Sequence, residues 1–131
     1  MPFERVMSEE PWARWERWIR EGGITLDRPR GSRHPRHPEI VYPIDYGYVN
    51  GTRSTDGEEL DVFVGTAETG LVAVSHARDH RRGDAEPKLH WNCTPAEVYL
   101  VHGFLNFDPT RMEARLVMRQ PMSALWAAIE R

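Results

Sequence analysis

Cysteine is almost absent. Cys93 is the only one in 131 residues, which excludes an intramolecular disulfide and any zinc site built on a cysteine pair. No run of 18 apolar residues occurs, so no membrane-spanning helix is predicted. The opening MPFERVMSEEPW has no apolar stretch of the kind a secretion signal needs, and a cytoplasmic location is expected. Acidic residues exceed basic ones only as 20 to 17, which gives no general affinity for nucleic acid. No H-E-x-x-H pattern, internal repeat or low-complexity tract is present. What is there is ordinary for a globular chain, 40% hydrophobic and 28% charged. The length predicts a single domain over residues 1–131 with one core.

Periodicity and punctuation predict the elements. A helix is expected over residues 8–21, capped by Ser8 and stopped by Gly22 and Gly23. Its stripe of Trp12, Trp15, Trp18 and Ile19 suits packing on the core, with a dimer contact as the sharper alternative. Strands are expected at Ile24–Leu26, Val41–Thr52, Leu60–Gly65, Leu71–Ala77, Glu86–Trp91 and Arg111–Arg119. Residues 27–38, rich in proline and arginine, read as a loop. Thr94-Pro95-Ala96-Glu97 is a capping box that starts a helix running to about Phe107. A last helix is expected over Pro121–Ile129. The sum is a mainly β fold with flanking helices, either a small β-barrel of five to six strands or an α+β sandwich.

The richest stretch is Tyr42–Val64, YPIDYGYVNGTRSTDGEELDVFV. Asp56, Glu58 and Asp61 fall within six residues of one turn. Three converging carboxylates repel unless a cation sits between them, and hard divalent ions such as Mg²⁺ prefer oxygen ligands. A solvated acidic hairpin is the plain alternative. Against it stands Asp61, which lies inside the apolar run Leu60–Val64 and costs stability there without a partner. On this view alone, removing the charge of Asp61 relieves repulsion.

The pair of motifs resembles the soluble Mg²⁺-dependent inorganic pyrophosphatases of the OB-barrel type. Asp56-Gly57-Glu58-Glu59-Leu60-Asp61 is similar to their D-x-D-x-x-D turn, and Tyr42-Pro43-Ile44-Asp45-Tyr46-Gly47-Tyr48 to their Y-P-x-x-Y-G-Y/F strand. Pro29-Arg30-Gly31-Ser32-Arg33 resembles their P-K-G-S-R segment, and Glu86-Pro87-Lys88 their D-x-K strand. The resemblance implies an OB-like barrel and hydrolysis of pyrophosphate by metal-activated water, with Mg²⁺ as cofactor. It places Asp56 and Asp61 on the metal, completed by Glu86 or Asp84, and implies catalytic roles for Glu58, which orients the water, and for Asp56. Arg30, Arg33, Lys88 and Tyr46 are implied to bind phosphate.

The chain departs from that family in several places. Glutamate stands for aspartate at Glu58 and Glu86, and arginine for lysine at Arg30. The long hairpin before the Y-P strand and a late Tyr-Lys pair are missing, which suggests a reduced, more open site. Other readings therefore stay in view: a hydrolase of a nucleotide or other organic pyrophosphate, or a non-catalytic module that binds an anion or RNA through Arg28–Arg36. The main expectation is an enzyme acting on pyrophosphate as a homo-oligomer, with no membrane or nucleic-acid partner.

Overall fold

The computed structural model describes residues 9–52 and 59–130. In chain order it contains α1 (Trp12–Gly22), β1 (Ile24–Arg28), β2 (Asp45–Val49), β3 (Leu60–Val64), β4 (Leu71–Asp79), β5 (Ala85–Trp91), α2 (Pro95–Asn106), β6 (Met112–Met118) and α3 (Met122–Ile129). The strands form one sheet in the order β1-β2-β3-β5-β4-β6. All neighbours are antiparallel except β3 and β5, which run parallel. Among the described residues β1 and β6 are the outer strands and do not pair with each other, so the sheet has the expected strand number but is not closed.

Each face of the sheet carries its own core. Val49, Leu60, Val62, Val74, Leu89 and Val117 point to one side, where Trp12, Trp15 and Ile19 of α1 cover them. The tryptophan stripe is thus core packing, with Trp12 and Trp15 only 7% and 6% exposed. The other side holds Phe63, Leu116 and Met118 under Val98, Val101 and Leu105 of α2 and Met122 and Leu125 of α3. Helix α2 begins with the full capping box: Glu97 N–H donates to Thr94 Oγ1, and Thr94 N–H donates back to Glu97 Oε1.

Three local differences from the expected elements bear on the site. The strand expected from Val41 starts at Asp45, because Pro43 lacks the N–H that a ladder needs. Upstream, only an isolated bridge joins Val41 to Arg33, closing a tight hairpin over the arginine loop. Strand β1 continues past Leu26 to Arg28 through an irregularity that places Arg28 opposite Tyr46. Helix α1 starts at Trp12 with Pro11 as its cap, and Ser8 lies outside the described residues.

Gly47 explains the Y-G-Y spacing. A Cβ there would lie 2.0 Å from the Thr25 carbonyl oxygen, so only glycine lets β1 pair closely with β2.

Candidate active site

The site lies on the α2 face, where β2, β3 and β5 bring polar side chains to one point. Asp61 and Lys88 are register partners across the parallel pair, and Tyr48 stands opposite Asp61 on β2. Alternation then places Tyr46, Asp61, Phe63, Glu86 and Lys88 on the same face. Lys88 Nζ donates to Asp61 Oδ2 at 2.7 Å, to Tyr46 OH at 2.9 Å and to Glu86 Oε1 at 3.4 Å. Its side chain is 8% exposed.

Burial alone would push the Lys88 pKa down. The Tyr46 oxygen and the Asp61 and Glu86 carboxylates more than offset it, so the pKa stands above the ordinary lysine value and the ammonium stays charged. Burial raises the pKa of Tyr46 in turn, which keeps its hydroxyl a proton donor at neutral pH.

Around this cluster opens a cavity of about 390 Å³. Its polar lining includes Asp61, Glu86, Lys88, Tyr46, Arg28 and Asp79, with Arg81, Arg82, Asp108 and Arg111, and its apolar lining includes Tyr42, Phe63, Phe104, Leu105, Phe107 and Met112. Arg28 reaches the cavity because the β1 irregularity sets it beside Tyr46; its guanidinium donates to Tyr42 OH and lies over the Tyr42 ring.

The residues expected from sequence fall into three groups. Asp61, Glu86, Lys88 and Tyr46 meet at the cavity. Arg30, Arg33 and Asp84 are exposed and do not line it: the Arg30 backbone N–H donates to Asp45, and the Arg33 guanidinium donates to the Pro38 carbonyl. Asp56 and Glu58 lie outside the described residues. The two ends of their segment are tied together by Thr52, which is buried. Its hydroxyl donates to Val49 O at 2.6 Å and accepts from Leu60 N–H at 2.9 Å. Arg28 is thus placed at the site by geometry, and Thr52 joins the flanks of the segment that carries the acidic motif.

Among the described residues no group of three or more His, Cys, Asp or Glu is gathered as a metal centre. Asp61 and Glu86 nevertheless aim oxygens at one point, the Lys88 ammonium. A donor set of carboxylate oxygens alone suits a hard divalent cation and not a soft one. Oxygen donors of this type are compatible with a hard divalent cation, although the point on which these two converge is held by the Lys88 ammonium.

Comparison with known proteins bears on the family and the fold. Residues 14–78 match the family model for inorganic pyrophosphatase. The fold is similar to an inorganic pyrophosphatase from Neisseria gonorrhoeae, with a TM-score of 0.53 and 17% identity over 84% of this chain and 89% of that one. It is similar also to the inorganic pyrophosphatase from Thermus thermophilus, with a TM-score of 0.53 and 17% identity over 82% and 86%. The enzyme from Coxiella burnetii gives a TM-score of 0.51 at 12% identity over 80% and 90%. At such identities these likenesses are of fold. No curated protein sequence matches the chain. No helix among the described residues is long and apolar enough to cross a membrane.

Proposed function

We propose that this chain, which carries a domain of the inorganic pyrophosphatase type over residues 14–78, hydrolyses inorganic pyrophosphate to phosphate in a Mg²⁺-dependent reaction. The observation that carries this reading is the Lys88 ammonium, buried in a cavity and held by Asp61, Glu86 and Tyr46. A fixed cation between carboxylates, beside a second cation at Arg28, is what a dense phosphate anion and its counter-ion require.

In this reading Lys88 and Arg28 neutralise phosphate oxygens. Arginine suits the task because its planar fork donates two parallel hydrogen bonds. Tyr46 donates its hydroxyl proton to a phosphate oxygen, which its raised pKa favours. Asp61 and Glu86 are the cavity carboxylates that would hold Mg²⁺, with Asp56 assigned beside them from sequence spacing. The chemistry that Mg²⁺ supplies there is charge neutralisation on phosphate and a lowered pKa of water. Glu58, assigned from the same motif, orients the attacking water. Asp79 borders the cavity and takes the outer acidic position, while Asp84 stands in the exposed turn beyond it.

The test is phosphate release from pyrophosphate with Mg²⁺ and with the ion chelated. The expected result is turnover that needs the ion and is lost in Lys88→Met. Absence of release at any Mg²⁺ concentration refutes the proposal.

A further inference from the structure

The cavity is larger than an inorganic diphosphate needs. Its 390 Å³ falls among sites for whole organic ligands. Lys88 and Arg28 charge the corner beside Tyr46, while Asp79, Arg81, Arg82, Asp108 and Arg111 also line the cavity. From that corner an aromatic series leads away. Tyr46 stacks on Tyr42 with ring centroids 5.3 Å apart, and Tyr42 meets Phe104 of α2 at 5.1 Å. Phe107, at the end of the same helix, lines the cavity while 63% exposed. A phenyl ring so exposed adds little to the core, yet offers a flat apolar face to whatever the charged corner holds.

We propose that the site accepts, beside inorganic pyrophosphate, an organic diphosphate ester, bound more tightly because of its substituent. Its phosphates sit at Lys88 and Arg28, and a flat or apolar substituent lies against Phe104 and Phe107. This rests on the reading that the site hydrolyses phosphoanhydrides, and it names the substrate class that the rest of the cavity takes. In the reaction a water oxygen bonds to the terminal phosphorus and the bond from that phosphorus to the bridging oxygen breaks. The products are the organic monophosphate and inorganic phosphate; of the two water protons, one stays on the released phosphate and the other passes to the leaving oxygen or to solvent. No oxidant or other co-reactant is needed.

The test is binding, so that it stands apart from turnover. Calorimetry in Mg²⁺ compares methylenediphosphonate with two organic counterparts, the α,β-methylene analogue of adenosine diphosphate and a prenyl methylenediphosphonate. The expected result is that at least one organic analogue binds about tenfold more tightly than the plain one. Phe107→Ala should narrow that advantage to less than about threefold, and Phe107→Trp should keep it. Which analogue gains identifies the substituent as a flat base or an aliphatic chain. Equal affinity for all three, or an advantage that survives Phe107→Ala, overturns the inference. Phosphate release from pyrophosphate is measured on the same preparations, so loss of the pyrophosphatase reading and loss of the substituent preference are seen separately.

Discussion

Lys88 and Asp61 face each other across the parallel strands β5 and β3, and their charged groups meet at 2.7 Å. The contact supplies the partner that a carboxylate inside an apolar strand requires. It also fixes a cation at the floor of the cavity, with Glu86 and Tyr46 completing its hydrogen bonds.

The pair reverses one expectation drawn from the acidic motif. If Asp61 faced only other carboxylates, Asp61→Asn would raise stability in the absence of metal. With Lys88 as its partner, the substitution leaves a buried ammonium with Glu86, at 3.4 Å, as its only charged acceptor among the described residues. The expected outcome is a loss of about 1–3 kcal/mol, read from urea denaturation with the metal chelated, together with loss of pyrophosphate turnover. Stability equal to or above that of the unchanged protein would show that the pair contributes nothing net.

The arginines are expected to separate by position. Arg28 lines the cavity beside Tyr46, whereas Arg33 is spent on the Pro38 carbonyl. Arg28→Ala should weaken binding of methylenediphosphonate by about tenfold or more, as loss of a charge-assisted contact does. Arg33→Ala should change it by less than about twofold, as an exposed charge does. Titrating Mg²⁺ separately distinguishes lost phosphate binding from lost metal binding. A larger effect at Arg33 than at Arg28 would return the phosphate contact to the proline-rich loop.

These cases show what was legible in the chain. The capping box at Thr94 and the apolar runs of β3 and β4 carry local signals, and both the helix and the strands form where those signals lie. The meeting of Asp61 with Lys88 depends on β3 and β5 being neighbours although β4 intervenes in sequence, and periodicity does not encode strand order. Arg28 stood among the loop arginines as a candidate for anion binding, but its place in the cavity was not legible. A regular β1 would set Asp27 opposite Tyr46, and the irregularity after Leu26 moves Arg28 there instead. The aromatic wall was hidden because α2 is apolar around much of its circumference, with Tyr99 and Leu100 exposed while Val98 and Val101 are buried. Its cavity-facing side therefore cannot be chosen from pattern.

Thr52 is expected to act as a positioning residue for the acidic turn. Its hydroxyl links Val49 and Leu60, the flanks of the segment that carries Asp56 and Glu58. Thr52→Val removes both hydrogen bonds and should cost about 1–2 kcal/mol of stability. A merely structural role would stop there. If the link also places the turn, kcat falls by about tenfold or more while KM changes less, and Thr52→Ser restores it. An unchanged kcat at a temperature where the variant is fully folded would limit Thr52 to packing.

His90 should make the fold sensitive to mild acid. It is a fully buried residue of β5, with Nε2 2.8 Å from Ser75 Oγ and Nδ1 without a hydrogen-bond partner. Burial, reinforced by nearby His102, lowers its pKa from 6.5 to about 3. The unfolded chain therefore takes up a proton at this residue near pH 6.5, while the folded chain stays neutral until about pH 3. Between those limits the unfolded state binds more protons, so stability rises with pH and falls as pH falls, at up to about 1.4 kcal/mol per unit. His34 and His102, whose pKa values are also lowered, act in the same direction. Comparison with His90→Gln isolates the buried ring, because the other two histidines remain in both proteins. Urea midpoints from pH 7 to pH 5 lie above the range in which carboxylates such as Glu97 protonate. In that interval the unchanged protein should lose stability more steeply than the glutamine variant. Parallel curves would mean that His90 is reached by solvent protons in the folded state.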